Sequence, residues 1–294
     1  MRIERQTHCK FCGEPAPAGY MTLPDACVDI VRCGLCRMPF VSQTYDDESA
    51  RELYERVLDE NAGYETFEPA RSPRFRYLLD CVLPEGQVEG LRILDVGAGG
   101  GGFLGMAKSL GADVAGIEFS SAARAHAATT YGIELSSHPL TDSAWNGKRF
   151  DVITVWDLVE HLADPRGMLR RIGELLVPGG RVAITTPARE GALHRVSMAL
   201  AKLTGGRISM LARHRYNLLH LQIFRRNDLR ALLEDAGLTV RTLELIADFS
   251  YPGSWYLRTA RIPDWLRRAL APAADLYLER LPPRNKIIAV ARRG

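Results

Sequence analysis

Apolar and polar positions along the chain follow two alternating rhythms. Short runs that are apolar at most positions fall at 92–97, 113–118, 150–156 and 181–186, and stretches of helical character lie after them at 102–110, 120–130, 165–176 and 227–236. Strand-like runs alternating with helices predict an α/β fold, a parallel sheet covered on both faces through right-handed crossovers. A last pair of strand-like runs, 239–247 and 286–292, follows the helices. Gly179-Gly180 and Gly237 stand where a left-handed cap would end a helix, so they read as punctuation. Nearer the start, 47–61 carries Leu53, Tyr54, Val57 and Leu58 at helical spacing, which predicts a connecting helix whose apolar residues pack.

The first strand–helix junction carries the clearest chemistry. Ile93-Leu94-Asp95-Val96 runs into Gly97-Ala98-Gly99-Gly100-Gly101-Gly102 and opens a helix at Phe103-Leu104. Glycines let the backbone turn tightly and approach a ligand, and free N–H groups at a helix start face it. The next strand ends in Glu118, 23 residues after Asp95, placed to accept hydrogen bonds from both hydroxyls of an adenosine ribose. NAD and S-adenosylmethionine both fit such a loop, and Gly97, Gly99 and Gly102 formally satisfy G-x-G-x-x-G. Asp95 separates them, because a carboxylate in the loop repels a pyrophosphate but suits a sulfonium and an ammonium group.

The second chemical feature is a cysteine set, Cys9-Lys10-Phe11-Cys12 and Cys33-Gly34-Leu35-Cys36, two C-x-x-C knuckles with 20 residues between them. That spacing can place four thiolates tetrahedrally around zinc, and a fully protein-ligated ion leaves no position for a water nucleophile, so the expected metal is structural. The first 45 residues hold too few apolar side chains for a core of their own, so zinc binding is expected to fold them. Cys27 and Cys81 need no function beyond packing.

Composition adds little. At 294 residues and net charge +3, the chain can bury roughly three quarters of its unfolded surface without disulfides. Neither a signal peptide nor an apolar run of spanning length is evident, so the cytoplasm is the expected compartment.

Most of residues 70–294 resembles the class I S-adenosylmethionine-dependent methyltransferases. Ile93 to Gly101 is similar to the first motif of that family, Gly116-Ile117-Glu118 to its second-strand acid, Phe150 to Leu162 to its fourth strand and following turn, and Leu176 to Pro187 to its glycine turn and fifth strand. The resemblance implies a Rossmann-like sheet of seven strands with the last one antiparallel. It implies cofactor contacts at Asp95, Gly97, Ala98, Gly99, Gly101, Glu118, Phe119, Trp156 and Asp157, and an adenine contact near Leu140 to Asp142. The expected organisation is a zinc ribbon over 1–45, a helical linker or lid over 46–80, and a methyltransferase domain over 81–294, with acceptor-site insertions at about 189–224 and 248–284.

Methyl transfer needs an acceptor held in line and, for a hydroxyl, a group to take its proton. Candidates lie beyond the C-terminal ends of the strands, where open parallel sheets bind ligands. The turn after the fourth strand offers Trp156, Asp157, Glu160 and His161, and the segment after the fifth offers His194, His214 and His220. His161 resembles the histidine of the family's Glu-His pair; it either braces the turn, with Asp164 capping the helix begun by Pro165, or takes part directly. His220, in Leu219-His220-Leu221-Gln222-Ile223-Phe224, resembles a segment that closes over the acceptor and titrates in the range of a general base.

From Ala188 to Arg230 the chain holds nine Lys or Arg against Glu190 and Asp228, an excess that attracts phosphates of a nucleotide sugar, a lipid-linked saccharide, RNA or an anionic membrane, or forms a solvated face. Only Tyr216 and Phe224 are aromatic there, which weakens the RNA reading. The 248–284 stretch, with Tyr251, Trp255, Tyr256, Trp265 and Tyr277, can serve as a lid, a dimer contact or a peripheral membrane helix. The expectation is O-methylation of a saccharide or other small molecule. An RNA base methyltransferase and a non-catalytic cofactor-binding or protein-contact module are the alternatives. Acceptor identity, the methylated atom and oligomeric state are not encoded in these motifs.

Overall fold

The computed structural model describes residues 3–15, 18–23, 28–45, 49, 52, 72–83, 85–205, 216, 220–248, 253–257 and 263–294. Cys27, Leu53, Tyr54, Val57, Leu58, His214, Leu219 and Tyr251 lie outside them. Three strands, β1 (Ile3–Arg5), β2 (Ala18–Leu23) and β3 (Val28–Arg32), precede β4 (Pro39–Val41) and β5 (Gln43–Tyr45). Strands β2, β3 and β4 form an antiparallel sheet, and β1 pairs with β5.

After helix α1 (Pro73–Val82) the main sheet begins with β6 (Arg92–Val96), α2 (Gly102–Ser109), β7 (Asp113–Ile117), α3 (Ser121–Tyr131) and β8 (Phe150–Trp156). It continues through α4 (Pro165–Leu175), β9 (Leu176–Pro187), α5 (Ala192–Leu203), α6 (Arg226–Asp235) and β10 (Leu238–Ile246). Helices α7 (Gly253–Leu257) and α8 (Asp264–Arg280) precede β11 (Lys286–Arg293). Strand order is β10-β11-β9-β8-β6-β7, parallel except for β11, which runs antiparallel to both neighbours. The expected seventh position, outside β7, is held by a single parallel bridge between Ile117 and Ser136.

The strands alternate their contacts between two core layers. Leu94, Val96, Ile153, Val155, Val182 and Ile184 pack with the inner face of α4 and α6, while Ile93, Val152, Ala183 and Ile288 pack with α1, α2 and α3. Both faces are thus dry, as a parallel sheet between helices requires. Helix α4 starts where its sequence says it should. Asp164 accepts the Gly167 N–H at 2.9 Å and Pro165 occupies the first turn, while Met168, Leu169, Ile172 and Leu175 form the buried stripe. It ends at Leu175 and leads directly into β9, which begins five residues before the expected start at 181. Gly179 has φ +76 but lies inside β9, so it bends a strand and does not cap α4; Gly237, just past α6, matches its expected role.

The small N-terminal sheet shares its core with the main domain. Leu23, Val28, Ile30 and Val41 pack with Ala201, Tyr216, Leu221 and Ile223. No helix among the described residues is long and apolar enough to cross a membrane.

Candidate functional site

The C-terminal ends of β6, β7, β8 and β9 gather three groups of chemically active residues, and the cysteines of the N-terminal segment form a fourth. The first is the glycine loop. Gly97 and Ala98 both donate their N–H to the Ile117 carbonyl at 2.9 Å, which folds the loop back over the end of β7. Gly101 sits at φ +80, and a Cβ there would come within 2.8 Å of the Ala127 Cβ, so close packing of α2 on α3 requires glycine. Gly99, at φ +52, has open space where a Cβ would stand.

Two buried carboxyls flank the loop. Glu118 accepts N–H bonds from Gly99 and Ser120, each at 2.8 Å. Burial pushes its carboxyl above the ordinary range, against the pull of those two donors. Asp95 is 1 % exposed and accepts the Thr154 hydroxyl at 2.7 Å from the neighbouring strand. Burial raises it to about 7, with the Thr154 bond opposing. Phe119 follows Glu118 half-buried, and Trp156 packs edge-on against Phe103 at 5.3 Å, its indole N–H buried. Leu140 is buried, and Asp142 caps a short turn through the Ala144 N–H at 2.8 Å.

The second group is ionic. Asp157 is non-glycine yet adopts φ +52, immediately after β8. One of its oxygens takes Arg74 at 2.8 Å and Lys286 at 2.5 Å, and the other takes the Thr185 hydroxyl at 3.3 Å. Asp248 closes the ring, bonded to Arg74 at 2.9 Å and to Lys286 at 3.0 Å. Burial works against the Asp157 charge, but Lys286 and then Arg74 outweigh it and hold the carboxyl at about 2. A group ionised that firmly and paired twice is a poor proton acceptor at neutral pH, which places Asp157 as a tether between α1, β8 and β11.

Third come the histidines. The His161 and His220 rings lie 4.7 Å apart at an interplanar angle of 53°. Glu160, beside them, is buried and accepts the Thr186 hydroxyl at 2.9 Å; burial, with the Asp157 charge, raises it to about 8. One ligand atom from each of Glu160, His161 and His220 falls within 4.8 Å of the others, a spacing that could hold a metal ion. The backbone explains the meeting. Leu221 and Gln222 donate their N–H groups to the Glu160 carbonyl at 2.9 and 3.3 Å, and the Gln222 side-chain amide reaches the carbonyls of Val159 at 3.0 Å and Leu162 at 2.9 Å. His194 is buried, its ring centroid 5.9 Å from the phenol ring of Tyr216.

The fourth group is the cysteine set. The sulfurs of Cys9, Cys12, Cys33 and Cys36 all lie within 4.8 Å of one another, with Cys9 to Cys36 at 3.6 Å and Cys12 to Cys33 at 3.5 Å, and all four are free thiols. Tetrahedral zinc with Zn–S bonds of about 2.3 Å sets its sulfurs about 3.8 Å apart, so the donor set fits that ion.

A methyltransferase-domain profile matches residues 47–243, well over half of the chain. The chain belongs to this methyltransferase family. Two curated relatives, the ubiquinone biosynthesis O-methyltransferases of Cereibacter sphaeroides and Aeromonas salmonicida, are 40% identical over 103 residues and 38% identical over 108. These matches cover 33% and 34% of this chain and 42% and 45% of the relatives, so the chain spans less than half of their length. Among solved structures, magnesium protoporphyrin IX methyltransferase from Synechocystis with bound S-adenosylhomocysteine shares the fold at TM-score 0.57 and 14% identity, over 85% of this chain and 100% of that one.

In this methyltransferase domain the glycine loop stands at the C-terminal end of β6, where the motif places it, with Glu118 turned onto Gly99. The sequence did not single out Arg74, Asp248, Lys286, Thr154 or Gln222. Thr154 was within reach, because it stands opposite Asp95 once β6 and β8 are paired. The other four act across 38 to 174 positions and leave no local signal.

Proposed function

We propose that this methyltransferase transfers a methyl group to an oxygen of a small-molecule acceptor, with His220 taking the acceptor's proton and His161 orienting it. The carrying observation is the meeting of these two rings at the end of β8, one strand from the glycine loop. The O-methyltransferase relatives support small-molecule oxygen chemistry and do not extend to saccharides.

Bound S-adenosylmethionine supplies an activated methyl on a sulfonium. The chain's part is to bind, orient and move a proton. Glu118 would hold the ribose hydroxyls with the oxygen lone pairs not spent on Gly99 and Ser120, and the loop N–H groups of 97–101 and the buried Asp95 would hold the methionine end. Asp157 would keep the mouth of β8 in place through Arg74 and Lys286. The four cysteines would hold one structural zinc.

RNA ranks lower because Tyr216 and Phe224 are the only aromatics in the basic stretch, too few for a base-stacking platform. Three of its arginines also have local partners, Arg189 with Asp228 at 2.9 Å, Arg226 with Glu190 at 2.9 Å and Arg230 with Glu234 at 3.6 Å. The test is transfer of labelled methyl from S-adenosylmethionine into fractionated extract. Label is expected in a nuclease-resistant small-metabolite fraction, and His220→Ala is expected to cut it about a hundredfold or more with S-adenosylhomocysteine affinity intact. Label released by nuclease would overturn the reading.

A further inference from the structure

The cysteine ribbon is joined to the main domain by more than packing. Strand β4 continues into the 220–224 segment through an antiparallel bridge between Phe40 and Gln222, in which the Val41 N–H reaches the Leu221 carbonyl at 2.8 Å. Leu221 then donates its own N–H to the Glu160 carbonyl at 2.9 Å. A two-bond ladder therefore runs from the ribbon, through the residue next to His220, to the residue next to His161. Side chains follow the same route. Leu221 is fully buried between Val28, Ile30 and Val41 of the ribbon and Ala201 of α5. Phe11, in the first cysteine knuckle, meets Phe224 edge-on at 5.7 Å, and its carbonyl accepts Arg166 of α4.

From this connectivity we propose that the ribbon is a positioning element of the acceptor site, adding β4 as a supporting strand that fixes His220 against His161. The proposal rests on the reading of His220 given above, but its geometric content is separate from that residue's chemistry. On the main-domain side the segment is held by the Glu160 carbonyl, by the Gln222 amide on Val159 and Leu162 and by the Arg189 N–H on the Phe224 carbonyl, and none of these bonds reaches the carbonyl of Leu221. With β4 on the other side, Leu221 is clamped through both its N–H and its carbonyl, and its neighbour His220 inherits that register. Both cysteine knuckles reach this clamp, the second through the Cys33 N–H donated to the carbonyl of Met38, one residue before β4, at 3.1 Å, and the first through Phe11 on Phe224.

Val41→Pro is the selective test, since proline removes the one N–H that β4 gives to Leu221. The readouts are carbethoxylation of individual histidines by diethyl pyrocarbonate, followed by mass spectrometry, S-adenosylhomocysteine affinity by calorimetry, and kcat against KM for methyl transfer. Expected are a several-fold change in His220 modification rate with exposed His138 unchanged, unaltered S-adenosylhomocysteine affinity, and a kcat lower by about tenfold to a hundredfold, the scale of a misplaced reacting group. Phe11→Ala, which removes the ring facing Phe224, should act in the same direction to a smaller extent and serves if the proline variant does not fold. Wild-type His220 reactivity in a folded variant overturns the proposal. If His220 reactivity changes while kcat does not, positioning stands and it is the assignment of His220 as base that fails.

Discussion

Two aspartates, Asp95 buried and Asp157 half-buried, stand at the ends of neighbouring strands, and their surroundings are opposite. Asp157 has two cations built against it and is held at about 2, whereas among the described residues Asp95 has only a threonine hydroxyl bonded to its side chain and is raised to about 7. One pole of the site is electrostatically complete before anything binds. The other has a carboxyl with no cation bonded to it among the described residues, an environment that a sulfonium and an ammonium group would complete. The difference teaches that burial alone does not tell what a carboxyl is for; the presence or absence of a built-in partner does.

Removing a partner from the complete pole should have the largest effect. Lys286→Met leaves Asp157 and Asp248 sharing Arg74 alone, and uncompensated buried charge costs about 3–5 kcal/mol, measurable as a fall in the urea midpoint. Cofactor affinity should change little if that pole is purely structural. At the other pole, Glu118→Ala strands the N–H groups of Gly99 and Ser120 and removes the ribose acceptor, so S-adenosylhomocysteine affinity should fall by about tenfold to a hundredfold, the worth of one or two hydrogen bonds to a charged group. Unchanged affinity in calorimetry would detach Glu118 from the ribose.

The smallest effect is the most diagnostic. The folded pKa of Asp95 lies above its unfolded value near 3.8, so the folded state holds the proton longer. Its contribution to stability is present below pH 4 and declines as pH rises to about 7, where the folded form also ionises. A cationic ligand favours the ionised form, so affinity for S-adenosylmethionine should rise by a few-fold between pH 6 and 8, more than affinity for S-adenosylhomocysteine, which lacks the sulfonium. Asp157 behaves in reverse, losing its contribution only as pH falls toward 2. Equal pH profiles for the two ligands, measured by calorimetry, would break the contrast.

The legibility of the two poles differs for the same reason. The glycine loop, Asp95 and Glu118 are specified within one strand–helix–strand unit, so spacing and residue type suffice. The cysteine knuckles are equally local. The tethering ring joins α1, the turn after β8, the end of β10 and the start of β11, and no periodicity or spacing connects Arg74 with Asp248 across 174 positions. The His161–His220 meeting was reachable only as a resemblance, since the Glu160 carbonyl and the ribbon strand that register it lie far away in sequence. Gly179 misled because a positive-φ glycine serves equally well to end a helix or to bend a strand, and here α4 had already stopped four residues earlier.

The placement of β11 between β9 and β10 has a consequence for biosynthesis. As the chain leaves the ribosome, β10 emerges before the strand that must lie next to it, and β9 keeps an open edge until residues 286–293 arrive. The same late segment brings Lys286 to Asp157. A chain that lacks this segment therefore leaves the β9 edge unpaired, with the aggregation hazard an open strand edge carries, and deprives Asp157 of one of its two cations at the same time.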